Sequence, residues 1–177
     1  LNIPEWGETI EANSFVYCSG IRGTLKIPDS VIALENNAFY RCTGITQLEI
    51  GHGLISISNS VFSNCTGLVS LDLPDWITSI GYGSFSYCSG IIGTLRIPDS
   101  VIQIGSYVFS HCSGITKIEF GRGLSEISER AFDYCTSLKS LDIPSCIKSI
   151  GAYSFYFCSG IKGTLKIPDT VTKLDNY

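Results

Sequence analysis

At 177 residues, 44% hydrophobic and 16% charged, the chain has enough apolar mass to bury a core and too little charge to stay disordered. A formal net charge of -4 and a pI near 5.1 exclude the basic stripe that phosphate neutralisation needs, so nucleic acid is not an expected partner. No run of eighteen apolar residues is present, so no membrane insertion is expected of this segment, and the start at Leu1 rather than Met reads as a cut from a longer array.

The chain opens on Leu1-Asn2-Ile3, an apolar-x-apolar triplet stopped by Pro4. The same triplet returns as Leu25-Lys26-Ile27, Leu48-Glu49-Ile50, Leu71-Asp72-Leu73, Leu95-Arg96-Ile97, Ile118-Glu119-Phe120, Leu141-Asp142-Ile143 and Leu165-Lys166-Ile167. All six prolines follow a triplet directly, and Gly51 and Gly121 fill the two remaining places. Period-two alternation ended by a residue that cannot extend a ladder predicts a short strand with the outer triplet residues inward and the middle one outward. An apolar pair three residues apart comes next, as in Val31/Leu34 or Val101/Ile104, and turns the chain back inward. Each coil then closes on a Phe followed three residues later by Cys, seven times from Phe15/Cys18 to Phe155/Cys158, with Cys spacings of 23 or 24. The interval before each Cys leaves room for a short α-helical or 3-10 segment.

One such coil cannot bury its own apolar residues, whereas stacked coils bury them against each other. The expected fold class is therefore an α/β repeat solenoid: a right-handed coil with one parallel sheet of about eight short strands, and short helical or 3-10 segments on the opposite side. Residues 1–177 read as a single domain of 23-24-residue coils. The motif Cys-Ser-Gly-Ile-x-Gly-Thr-Leu-x-Ile-Pro-Asp begins at Cys18, Cys88 and Cys158, so three coils form a 70-residue super-repeat. Its extra residue falls near Gly23, Gly93 and Gly163, where a missing Cβ lets the chain absorb a bulge.

The pattern Leu-x-Ile-Pro-Asp-Ser-Val-x-x-Ile-Gly-x-x-x-Phe-x-x-Cys, seen from Leu95 to Cys112, resembles the BspA-like (Treponema pallidum type) leucine-rich repeats over essentially the whole chain. The resemblance implies a surface or secreted protein concerned with adhesion. It carries over no catalytic motif.

The seven in-register cysteines are expected to be reduced, buried and structural. Cys146 alone is out of register, aligned with Trp6 and Trp76 in the turn after the strand, and is expected to be the exposed thiol. His52 and His111 stand apart from any ligand pattern, so no metal and no cofactor is expected.

The outward triplet residues Asn2, Lys26, Glu49, Asp72, Arg96, Glu119, Asp142 and Lys166 form a charged row beside a small polar row from Thr24 to Thr164. Glu49/Asp72 and Glu119/Asp142 would neighbour each other at a separation that suits a glycosidase pair or a calcium ion, but flanking bases favour a solvated ladder of cross-strand ion pairs. From Lys26 to Lys166 the row is the expected ligand-binding surface, with Trp6 and Trp76 as interface aromatics. Further aromatics gather outside the strands, among them Tyr17, Tyr40, Tyr87, Tyr107, Tyr134, Tyr153, Tyr156 and Phe157. Asn64-Cys65-Thr66 matches the glycosylation sequon, with the middle residue expected to be buried.

The expected function is a non-catalytic, extracellular or cell-surface binding scaffold that presents a parallel sheet to a host, matrix or cell-surface protein. The alternative is self-association into a filament or stalk through uncapped ends. An enzyme would need a pocket for which the regular pattern leaves no insertion.

Overall fold

The computed structural model describes Leu1 and residues 3–175. Asn2 of the outward row lies outside the described residues. The chain winds into stacked coils whose facing positions are 23 or 24 residues apart, 22 only where Gly23 faces Ile45 and Gly93 faces Ile115, and every strand pair is parallel.

Two sides of each coil carry strand. The triplets form β2 (Gly23–Ile27), β4 (Ile45–Ile50), β7 (Gly93–Arg96) and β9 (Ile115–Glu119). The second side, at the turn after each triplet, carries two-residue strands: β1 (Thr9–Ile10), β3 (Ala33–Leu34), β5 (Ser56–Ile57), β6 (Ser79–Ile80), β8 (Gln103–Ile104), β10 (Glu126–Ile127), β11 (Ser149–Ile150) and β12 (Lys173–Leu174). The expected single sheet of eight strands is instead five small sheets. On the triplet side, among the described residues, β2 pairs with β4 and β7 with β9, and an isolated bridge sets Asp72 of the coil between them against Arg96 of β7. Leu71, Leu73, Leu141 and Ile143 still face inward, so side-chain alternation persists where the ladder lapses.

The bulge falls where the extra residue placed it. Register shifts between Gly23 and Thr24 and between Gly93 and Thr94, and φ is +77° at Gly23, +86° at Gly93 and +92° at Gly163. A Cβ there would be strained by its own backbone.

The third side corrects the α/β expectation: no helix, α or 3-10, occurs among the described residues. Two residues of each coil, five before and one before the Cys, take left-handed φ: Asn37 and Arg41, Ser60 and Asn64, Gly83 and Tyr87, Tyr107 and His111, Arg130 and Tyr134. A right-handed helix cannot pass through them. They turn their N–H groups toward the next coil, so that Arg41 N donates to Ser63 O at 2.8 Å, Asn64 N to Ser86 O at 2.7 Å and Tyr87 N to Ser110 O at 2.7 Å. The Phe N–H does the same, as from Phe85 to Val108 O at 2.9 Å. Backbone groups that a helix would satisfy within itself are here satisfied between coils.

The core is a set of ladders along the stack. Rings from Phe15 to Phe155 stack nearly parallel, with centroids 5.2–5.7 Å apart. Beside them the in-register thiols from Cys42 onward donate to the carbonyl of the Phe in the preceding coil, as from Cys42 to Phe15 at 2.9 Å, Cys65 to Phe39 at 3.3 Å, Cys88 to Phe62 at 3.1 Å and Cys112 to Phe85 at 3.1 Å. All eight cysteines are free.

Candidate functional site

Strand pleat decides what the triplet side offers. Leu25 and Ile27 turn in and Lys26 turns out, and the same alternation makes Glu49, Asp72, Arg96, Glu119 and Asp142 exposed, while Lys166 is exposed together with its flanking Leu165 and Ile167. Parallel register sets Lys26 beside Glu49, Asp72 beside Arg96 and Arg96 beside Glu119.

The ion-pair ladder forms only in part. Lys26 Nζ meets Glu49 Oε2 at 2.8 Å across the strands, and this hydrogen bond raises the Lys26 pKa. Arg96, in contrast, reaches sideways to Asp75 at 3.1 Å, and Glu119 takes Lys117 of its own strand at 2.6 Å. That bond holds the Glu119 carboxyl below its ordinary value. Asp72, Asp142 and Lys166 have no ion-pair partner within 4 Å among the described residues.

Glu119 and Asp142 flank one hollow of about 290 Å³. General acid catalysis needs a carboxyl held above its ordinary value, and Lys117 pushes Glu119 the other way. No group of three His, Cys, Asp or Glu side chains converges to hold a metal among the described residues. No helix there is long and apolar enough to cross a membrane.

Trp6 is 83% exposed, whereas Trp76 is half-buried. The Trp76 indole donates to Gly51 O at 3.1 Å and its ring stacks on His52 at 4.0 Å. His52 in turn donates its N–H to Asp29 at 2.7 Å, which lowers the Asp29 pKa. The two tryptophans sit three coils apart and do not form one patch. Cys146 is half-buried rather than open, and Cys18, in the first coil, is equally so. Asn64 of the sequon is half-buried and its amide donates to Ser63 at 3.1 Å, with Cys65 buried as expected.

On the third side, the turn side of left-handed residues before each Cys, a second surface emerges that the sequence only half revealed. Tyr87, His111 and Tyr134 stack face to face, with centroids 4.3 Å apart at both steps. Arg41 lies 5.3 Å over Tyr17, and Arg130 lies 4.6 Å over Tyr153. The tyrosines stand out in the sequence as a group, but His111 looks isolated until it is aligned on the position before each Cys. Arg130 and Asp133 carry no sequence signal of their own.

Comparisons with known proteins agree with this geometry. The family model described as "BspA type Leucine rich repeat region (6 copies)" matches residues 1–94 and 89–177. A leucine-rich repeat protein of Bacteroides ovatus is similar at TM-score 0.86 and 26% identity, over 95% of this chain and 43% of that one. The leucine-rich repeat protein of Treponema pallidum is similar at TM-score 0.80 and 24% identity, over 88% of this chain and 72% of that one. A leucine-rich cell surface protein of Faecalibacterium prausnitzii shares the fold at TM-score 0.54 and 18% identity, over 96% of this chain and 69% of that one. The chain thus spans less than half the length of the Bacteroides protein. No curated protein matches. With the repeat model covering it from end to end, the chain belongs to the BspA-type leucine-rich repeat family.

Proposed function

We propose that the chain is a non-catalytic binding and adhesion scaffold, displayed at the cell surface or secreted, whose outward triplet row docks a host, matrix or cell-surface protein. The observation that carries this reading is the unpaired part of the row. Asp72, Asp142 and Lys166 stand exposed with no ion-pair partner within 4 Å among the described residues, so their charges are open to complementary ones on a partner. Protein binding is the general role of leucine-rich repeat scaffolds, and the Faecalibacterium relative is described as a cell surface protein. Carboxylates outnumber bases in the row from Lys26 to Lys166 by four to three, which favours a ligand face with basic residues.

The test is binding of the labelled chain to a panel of immobilised matrix and host-cell surface proteins, before and after Asp72→Lys with Asp142→Lys. Loss of the captured protein on reversal, together with weakening as salt rises, supports the reading. Capture that survives both sinks it.

A second reading, self-association, rests on Leu165, Ile167 and Leu174, which are 43%, 40% and 50% exposed although Leu95, Ile97 and Ile104 at the matching places are buried. A second copy of the chain would cover them. Light scattering across a concentration series separates the two, since growth that ignores the charge reversals favours self-assembly.

A further inference from the structure

A groove runs across three coils on the turn side. One wall is the Tyr87, His111, Tyr134 stack, and Tyr82, Tyr107 and Arg130 make the other. Ser86, Ser110 and Asp133 form the floor, at 9%, 2% and 2% exposure. Gly83 stands in the wall where the next coils place Tyr107 and Arg130, which opens that side. The enclosed volume is about 340 Å³, at the small end of the range for small-molecule sites.

Asp133 is the group that packing does not explain. Its Oδ2 accepts from Arg130 Nη1 at 3.3 Å, but its buried Oδ1 has no partner. A buried acceptor left unmade is costly, and native chains keep few of them. The equivalent floor positions in the other coils hold Val16, Tyr40, Ser63, Ser86, Ser110 and Tyr156, so the stack does not require an acid there.

The ligand chemistry follows from what is offered. Of the lining residues Asp133 and Arg130 cancel, and Glu129, 4.0 Å from the same guanidinium, lies outside the lining, so net charge does not call for an anion. The Ser86 hydroxyl is already held by Gly83 O at 2.9 Å and Ser63 at 2.8 Å, so the acceptor of Asp133, the guanidinium donors and the Ser110 hydroxyl are what the groove offers between its aromatic walls. Tyr87 ends its stack, 47% exposed, and no described ring covers its outer face. Backbone groups beneath are already used between coils, as His111 N donates to Asp133 O at 2.8 Å and Tyr134 N to Tyr156 O at 2.7 Å. An extended peptide therefore finds no ladder to join. A compact neutral molecule carrying both hydroxyls and C–H faces fits, and we propose that this groove binds a neutral saccharide, one or two sugar residues of a glycan. The site shares no residue with the charged strand row.

Saturation-transfer NMR on the full chain, with glucose, galactose, mannose, N-acetylglucosamine and lactose as probes, tests this. Ring-proton signals from at least one sugar are expected. Tyr87→Ala and Asp133→Asn should each weaken that sugar about tenfold or more, the effect of losing a stacked ring or a charge-assisted bond, while Asp72→Lys leaves it unchanged. Should Asp133→Asn fail to fold, the exposed Tyr87→Ala decides alone. Absence of transfer to all the sugars, signals that persist in Tyr87→Ala, or transfer to a proline- and tyrosine-rich tetrapeptide in place of any sugar would each overturn the proposal.

Discussion

The thiol of Cys88 shows how much one side chain contributes to this stack. It packs against stacked phenylalanines, donates to Phe62 O at 3.1 Å, and burial pushes its pKa up to about 12 from the ordinary 9.0. In the folded state the thiol stays protonated where the unfolded chain ionises. The sign is that of a raised folded pKa: the contribution is fully present below about pH 9 and is lost as pH climbs from there toward about 12. Urea midpoints should fall between about pH 8 and about pH 10.5, and more steeply in the native sequence than in Cys88→Ala. Alkylation of the folded chain should label Cys18 and Cys146, which are half-buried, and spare the six buried thiols until urea is added. Replacing Phe85, fully buried between Phe62 and Phe109, with Ala should cost about 3–5 kcal/mol in urea unfolding, since it deletes a rung from the ring ladder.

At the scale of elements, the left-handed residues of the turn side decide what forms. Asn37 and Asn64 tolerate φ near +60° because a short polar side chain can bond locally, whereas a β-branched one clashes with its own carbonyl. Asn64→Ile should therefore destabilise by about 1–2 kcal/mol, while Asn64→Gly should be close to neutral. Far-ultraviolet circular dichroism should show a β-type spectrum without the paired minima of an α-helix. Strong helical minima would contradict the inter-coil hydrogen bonds from Arg41, Asn64 and Tyr87.

For the whole molecule, each coil touches only its neighbours, so stability is a sum of nearest-neighbour interfaces rather than one cooperative core. Hydrogen exchange should be slowest at Phe62, Phe85 and Phe109, each with coils on both sides, and faster from Leu165 onward, where the apolar triplet is exposed. Uniform protection along the chain would argue against this view. The same one-dimensional build separates the two surfaces: the strand row and the turn-side groove occupy different faces of each coil. A substitution in one should leave the other intact, which is why Asp72→Lys and Tyr87→Ala serve as mutual controls.

Much of this was determined by the sequence itself. The inward triplets, the prolines that stop them, the Phe and Cys ladders and the bulges at Gly23 and Gly93 are all periodic, and any residue repeated at one place in a stack meets its own copies. The charged row was legible for the same reason, because strand alternation alone turns Lys26 and Glu49 outward. Tertiary structure decided the rest. Room for a helical turn before each Cys did not yield one, because the hydrogen bonds of that segment run to the next coil and need left-handed residues that no residue type marks. Pairing within the charged row depended on which partner came within reach in space, so Arg96 joined Asp75 rather than Asp72 or Glu119. The groove was hidden for a further reason: Asp133 and Arg130 break the repeat, and a side chain outside the pattern acquires meaning only when stacking sets it beside Tyr107 and His111.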